Sequence, residues 1–173
     1  MNLIKPALCL AMLVLCVLAG PARAETRETQ FEVFLDVAAS CTFVSSSDVA
    51  FGNQTVVAGA QLDAFGSLRV RCNVPVAYQV SLDQGLHGSG INDRRMAGAG
   101  GDTIVYQLYS GDNGTTPCSA LAGVQWGSAS TGCLYGDSYA GTEQDIQIHG
   151  TLTLVGNARA GDYSDTVTAT ITY

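Results

Sequence analysis

The sequence predicts an all-β protein, an antiparallel β-sandwich built from short strands. Three observations predict it. Apolar and polar residues alternate with period 2 in one segment after another, and no long stretch keeps the 3.6-residue period of a helix. Clusters of Gly, Asn and Asp separate those segments at short spacing. Four cysteines remain after the N-terminal leader, an even set of the kind that staples exported domains.

Residues 1–24 read as a secretory signal peptide that is removed. Lys5 supplies the positive charge, and Ala7 to Ala19 is an apolar run of 13 residues, short for a membrane span. Gly20 and Pro21 end the run, and Ala22-Arg23-Ala24 provides small residues for cleavage after Ala24. A lipoprotein reading fails because Leu15 precedes Cys16 where a small residue is required. Without the leader the eight basic residues become six, all Arg, against fifteen acidic ones. The net charge moves from −7 to −9, which excludes a basic nucleic-acid footprint. The absence of lysine beyond residue 24 excludes Lys-linked isopeptide crosslinks and any Walker motif.

The elements follow in chain order. Phe31, Val33, Leu35 and Val37 alternate with Glu32, Phe34, Asp36 and Ala38. Leu68, Val70 and Cys72 alternate with Arg69 and Arg71, and Val76, Tyr78, Val80 and Leu82 with Ala77, Gln79 and Ser81. Ile104, Tyr106 and Leu108 repeat the pattern, then Ile146 and Ile148, then Thr151–Val155. The last strand, Val167 to Tyr173, alternates Val167, Ala169, Ile171 and Tyr173 with threonines, residues that favour strands. Turn chemistry at Phe51-Gly52-Asn53, Asp83-Gln84-Gly85, residues 98–102, residues 110–114 and Ala160-Gly161-Asp162 divides these runs. No linker or composition shift divides residues 41–173, which are expected to form one domain.

Cys41, Cys72, Cys118 and Cys133 allow three pairings. The preferred one joins Cys41 to Cys72 and Cys118 to Cys133, because local pairing is simplest. No C-x-x-C and no histidine cluster supports a metal site, and no cofactor is expected.

Other chemistry is sparse. His87 and His149 are the two histidines. Gly136-Asp137-Ser138-Tyr139 resembles the opening motif of a hydrolase family, but it falls late in the chain. Asp145 and His149 also stand one residue too far apart for that family's Asp-x-x-His. Gly85, Gly88 and Gly90 do not spell a dinucleotide loop. Arg94-Arg95 offers an anion clamp, against the plainer reading of solvated or Asp-paired arginines. Trp126 offers a sugar platform, against the plainer reading of a core residue.

Several short pieces, in order, carry a resemblance. They are Ser40-Cys41-Thr42, Phe51-Gly52, Val70-Arg71-Cys72, the run Tyr78 to Gly85, and Arg94-Arg95-Met96. Tyr106-Gln107-Leu108-Tyr109, Trp126-Gly127 and the ending Gly161 to Tyr173 complete the set. Over residues 29–173 the chain resembles the spore coat protein U domain family, whose members include pilins of the archaic chaperone–usher pathway. The resemblance implies an incomplete immunoglobulin-like antiparallel β-sandwich, completed by a donor strand from a neighbouring subunit. It implies a structural, non-enzymatic subunit of a surface pilus serving adhesion and biofilm formation. The partners would be identical or related pilins, a periplasmic chaperone and an outer-membrane usher, with no nucleic acid. The chain would be exported through the periplasm to the cell surface or secreted.

Under this resemblance residues 25–40 are the donor segment, with Thr29, Phe31, Val33, Leu35 and Val37 pointing into the neighbour's groove. Burying the four apolar side chains among them is worth roughly 6–12 kcal/mol before ordering costs. The acceptor edge and chaperone-binding surface would include Val167, Ala169, Ile171 and Tyr173, with the terminal carboxylate held in a basic cleft of the chaperone. The competing reading pairs residues 29–38 as an ordinary first strand within the chain. Against it, the sequence offers no strand after Val167–Tyr173 to complete the sandwich. A non-fimbrial spore-coat or surface-matrix protein and an independent sugar-binding module are the alternative functions.

Overall fold

A computed structural model describes residues 23–55, 59–111, 124–127, 133–135, 141–154 and 158–173. These residues form strands and turns and contain no helix. The strands are β1 (Cys41–Ser47), β2 (Gln61–Cys72), β3 (Tyr78–Leu82), β4 (Arg94–Gly98), β5 (Thr103–Ser110), β6 (Cys133–Tyr135), β7 (Glu143–Thr153), β8 (Tyr163–Ser164) and β9 (Ala169–Thr172). They make an antiparallel six-stranded sheet in the order β1-β2-β7-β5-β4-β8 and a three-stranded sheet in the order β6-β3-β9.

The two-residue period set out from the sequence is the period observed. Leu68, Val70 and Cys72 on β2, Tyr78, Val80 and Leu82 on β3, and Ile104, Tyr106 and Leu108 on β5 are all buried. Successive side chains of a strand point to opposite faces, so one face of each sheet supplies the core and the other meets solvent. Ile146 and Ile148 belong with Thr151–Thr153 to one strand, β7, because Gly150 keeps the inward phase between them.

Gly150 is small for a reason. A Cβ there would lie 2.5 Å from Val49, and one at Gly66 on β2 would lie 2.9 Å from Val49 and 2.8 Å from the Ser47 carbonyl. The two glycines form a trench in the large sheet. After Ser47 the chain leaves β1 and lays Val49 and Phe51 into that trench, packed against the core.

Cys41 and Cys72 are directly opposed at the β1–β2 pairing and are joined by a disulfide. This is the first of the two expected bridges. Cys118 lies outside the described residues, so the second expectation is not addressed.

Two sequence expectations need correction. The last strand begins at Ala169, not Val167, because Asp83 replaces the ladder just before it. The Thr168 N–H donates to the Asp83 carboxylate at 2.9 Å, and the Asp83 N–H donates to the Thr168 carbonyl at 3.0 Å. The strand on β3 starts at Tyr78 rather than Val76. Four strands were absent from the alternation pattern: β1, β4 and the two short ones, β6 and β8. A register shift between Phe43 and Ser45 spoils the period of β1, and β4 opens with two arginines that mask it.

Arg94 is fully buried, contrary to the expectation of a solvated or Asp-paired pair. Its Nε donates to the Asp83 carbonyl at 2.8 Å, and its Nη2 to the carbonyls of Trp126 at 2.7 Å and Leu82 at 3.2 Å. Burial pushes the Arg94 pKa down from its usual value, partly offset by Tyr106, Asp83 and Asp165 nearby. Arg95 behaves as expected, bonding Asp93 at 2.7 Å in an exposed pair.

The chain divides after Asp36 into two units. Residues 23–36 of the first carry no helix or strand, and Phe31, Val33, Phe34 and Leu35 are 84–90% exposed. The second unit, Val37–Tyr173, holds both sheets.

Candidate strand-accepting groove

An open groove runs into the core of the second unit. Its first lobe, about 430 Å³, has a floor of Leu68, Leu82, Tyr106, Leu108 and Ile148. Its second lobe, about 560 Å³, has a floor of Leu62, Ile104, Leu152 and Leu154. One wall is the segment around residues 46–54, which has just left β1. The other wall is the segment from Ala158 to Ala169, which contains β8 and leads into β9. Val49, Phe51, Met96 and Tyr163 line both lobes and form a waist between them.

Both walls come from edges of the sheets. Among the described residues β1 and β8 are the outer strands of the large sheet and β9 is an outer strand of the small one. An outer strand leaves one row of N–H and C=O groups without a ladder partner, so the groove offers apolar floor and backbone bonding together. That is what an added strand requires.

The expected acceptor residues divide here. Val167 and Ala169 line the first lobe. Ile171 is half-buried against the core, and Tyr173 is 53% exposed. Of the expected donor residues, Thr29, Phe31, Val33 and Leu35 fall within residues 23–36, which carry no strand, and Val37 is 59% exposed. Among the described residues no ladder includes residues 29–38, so the reading of that segment as an in-chain first strand is not supported.

Asp165 holds the groove wall in shape. Its Oδ2 accepts from the Tyr106 hydroxyl at 2.6 Å, and its Oδ1 from the Leu86 N–H and the His87 Nδ1, each at 2.9 Å. Burial pushes the Asp165 carboxyl up, but these bonds outweigh it and hold its pKa below the ordinary value. Burial and the same bond push the Tyr106 hydroxyl well above its usual range. Gly85, at φ +77°, gives Asp165 its place, since a Cβ there would sit 1.9 Å from Oδ2. The alternation pattern gave no hint of Asp165, Met96 or the Val49–Phe51 wall. A buried carboxylate beside a threonine run carries no local signal, and the wall depends on Gly66 and Gly150 far along the chain.

Among the described residues the other candidate chemistries do not assemble. Trp126 is fully buried and its Nε1 donates to the Val80 carbonyl at 2.8 Å, which removes it as a sugar platform. Asp145 is bonded to Arg69 at 2.7 Å and His149 to Asp63 at 2.8 Å, so the two do not bond each other as a relay. Ser138 lies outside the described residues.

Two sheets with open edges beside a groove define an antiparallel, pilin-like β-sandwich. The chain belongs to the Spore Coat Protein U domain family, whose model matches residues 27–170. It is 29% identical to Protein U of Myxococcus xanthus over 189 aligned positions spanning the whole of both chains. Its fold is similar to a chain in the crystal structure of the CsuC–CsuE chaperone–tip adhesion subunit pre-assembly complex, from the archaic chaperone–usher Csu pili of Acinetobacter baumannii. That match has a TM-score of 0.50 and 24% identity and covers 79% of this chain. The chain spans 40% of the length of that solved chain, and the likeness is one of fold.

Proposed function

We propose that this protein is a structural, non-catalytic subunit of a surface fibre assembled by strand exchange. The observation that carries the reading is the pairing of an open, edge-lined groove with an exposed alternating segment that joins no sheet. In this reading residues 1–24 are removed on export and residues 25–40 are the donor. Residues 41–173 are the accepting domain. A periplasmic chaperone covers the groove first, with Val167, Ala169, Ile171 and Tyr173 on the edge it meets. At an outer-membrane usher Thr29, Phe31, Val33, Leu35 and Val37 of the next subunit replace it. Head-to-tail contacts of this kind do not close and generate filaments. Adhesion and biofilm formation are the roles such a surface fibre serves.

The test compares the mature chain with one lacking residues 25–38, both produced with the cognate chaperone and then released from it. The expected result on an unheated SDS gel is a heat-sensitive ladder for the full chain and none for the truncated one. A folded full-chain monomer that needs no chaperone would overturn the reading. It would favour the second one, a coat or matrix protein, which the full-length similarity to Protein U and the family description support.

A further inference from the structure

The face of the large sheet turned away from the groove carries one large aromatic ring in the open. Phe65 on β2 is 57% exposed, while its neighbours Ala64 and Gly66 are buried on the opposite, inner face. One side of the Phe65 ring stacks on His149, its directly opposed partner on β7, with centroids 4.7 Å apart and planes within 14°. His149 is fixed in turn. Its Nε2 lies 2.8 Å from Asp63 Oδ1, and the Tyr109 ring of β5 stands 6.3 Å away on its far side.

Among the described residues no strand lies beside the other side of the Phe65 ring. The β1–β2 ladder ends at Ser47 and Ser67, two residues short of Phe65. The chain then passes to the inner face, where Val49 packs over Gly66 and Gly150. The departure that builds a wall of the groove therefore uncovers this ring on the outside.

Polar groups border the uncovered ring at both ends. Side chains two apart on a strand share a face at about 7 Å spacing, so Ser67 and Asp63 flank Phe65 along β2. The Ser67 and Ser47 hydroxyls form a pair at 3.0 Å. The Asp63 side chain is 48% exposed, and its bond to His149 engages one of its two carboxylate oxygens.

This chemistry narrows the occupant. A protein partner needs an apolar centre within about 800 Å² on each side, and a lone ring among polar groups does not supply one. Without its leader the chain carries a net charge of −9, which repels a second copy, a nucleic acid or an acidic polysaccharide and attracts a cation. An aromatic face draws a cation, and a carboxylate bonds an ammonium strongly. A pyranose with equatorial substituents adds a C–H face for the ring and hydroxyls for the serines.

We propose that Phe65, Asp63, Ser47 and Ser67 form a surface site for a polysaccharide of amino sugars with free amines. The C–H face of one sugar lies on the open side of Phe65, its ammonium is bonded by Asp63, and its hydroxyls meet the Ser47–Ser67 pair. His149 positions both the ring and the carboxylate. The site lies on the face opposite the groove and does not depend on strand exchange.

The test is calorimetric titration of the full mature chain with a hexamer of β-1,4-linked glucosamine. Binding is expected, and it should weaken as salt is raised. Hexamers of N-acetylglucosamine and of glucose, which lack the charge, should bind about tenfold more weakly. Phe65→Ala and Asp63→Asn should each weaken the glucosamine hexamer about tenfold. Asparagine keeps an oxygen for His149, so that loss reports charge rather than position. Phe65→Leu, which keeps apolar bulk without a ring face, should be as weak as Phe65→Ala, and Phe65→Trp at least as tight as wild type. Val105→Ala, on the same outer face but outside the site, should change nothing.

A wild-type chain that does not bind the glucosamine hexamer, or binding that Phe65→Ala leaves unchanged, overturns the site. Equal affinity for the glucose hexamer overturns the part given to charge. Tighter binding of a hexalysine peptide overturns the ligand class in favour of a basic protein tail.

Discussion

Replacing Arg94 with methionine should be one of the most damaging single changes outside the apolar core. The side chain is fully buried and donates to three main-chain carbonyls within 3.2 Å, those of Leu82, Asp83 and Trp126. Methionine matches much of the stem but none of the donors. A buried carbonyl that loses its partner costs about 1–3 kcal/mol, so three of them cost about 3–9 kcal/mol. Removing the buried charge recovers some of that, since burial already disfavours the charged form. A net loss of about 3 kcal/mol remains, a large fraction of the stability of an ordinary domain. For a chain of this size it corresponds to about 6–12 °C in melting temperature. Urea unfolding followed by tryptophan fluorescence measures it directly, because Trp126 is the single Trp and one of the bonded carbonyls is its own. Arg94→Lys should recover only part of the loss, as an ammonium cannot reach the same three carbonyls in one plane. An Arg94→Met protein within about 1 kcal/mol of wild type, the error of such a measurement, would refute the view that this guanidinium organises the end of β3.

Three further outcomes are expected. Cys41→Ser with Cys72→Ser should lower stability by about 4 kcal/mol, from the loop-closure cost of a 31-residue separation, measured by urea unfolding under non-reducing conditions. Trp126→Ala should cost about 3–5 kcal/mol in the same measurement and abolish no sugar binding, because the ring is inside. Asp165 and Asp83 have depressed carboxyl pKa values, so the stability they contribute is present above the ordinary carboxylate range and lost as pH falls through their folded values. Melting temperature should therefore drop steeply below about pH 4, and Asp165→Asn should flatten that drop; an unchanged acid profile in the variant would count against the Tyr106–Asp165 bond.

Much of the fold was legible because the two-residue period is local. Val70, Val80 and Tyr106 declare their inward face from their immediate neighbours alone, whatever they pair with. Arg94 was not legible, because an arginine is normally solvated and its burial depends on carbonyls brought from residues 82, 83 and 126. The break before Ala169 was equally hidden, since the threonine alternation runs straight through Thr168 and only Asp83, 85 residues away, interrupts it.

The groove marks the boundary between the two kinds of information. The sequence by itself determined that the chain is all-β, that residues 31–37 carry an alternating apolar stripe, and that Cys41 and Cys72 were candidates to pair. Each of these rests on residue type and short-range spacing. Only the tertiary structure decided that β1, β8 and β9 are left as edges, that Val49 sinks between Gly66 and Gly150, and that Tyr106 and Asp165 meet at the groove wall. An unpaired edge is a property of which strands are absent beside it. That is set by pairings between residues tens of positions apart, and no local period encodes it.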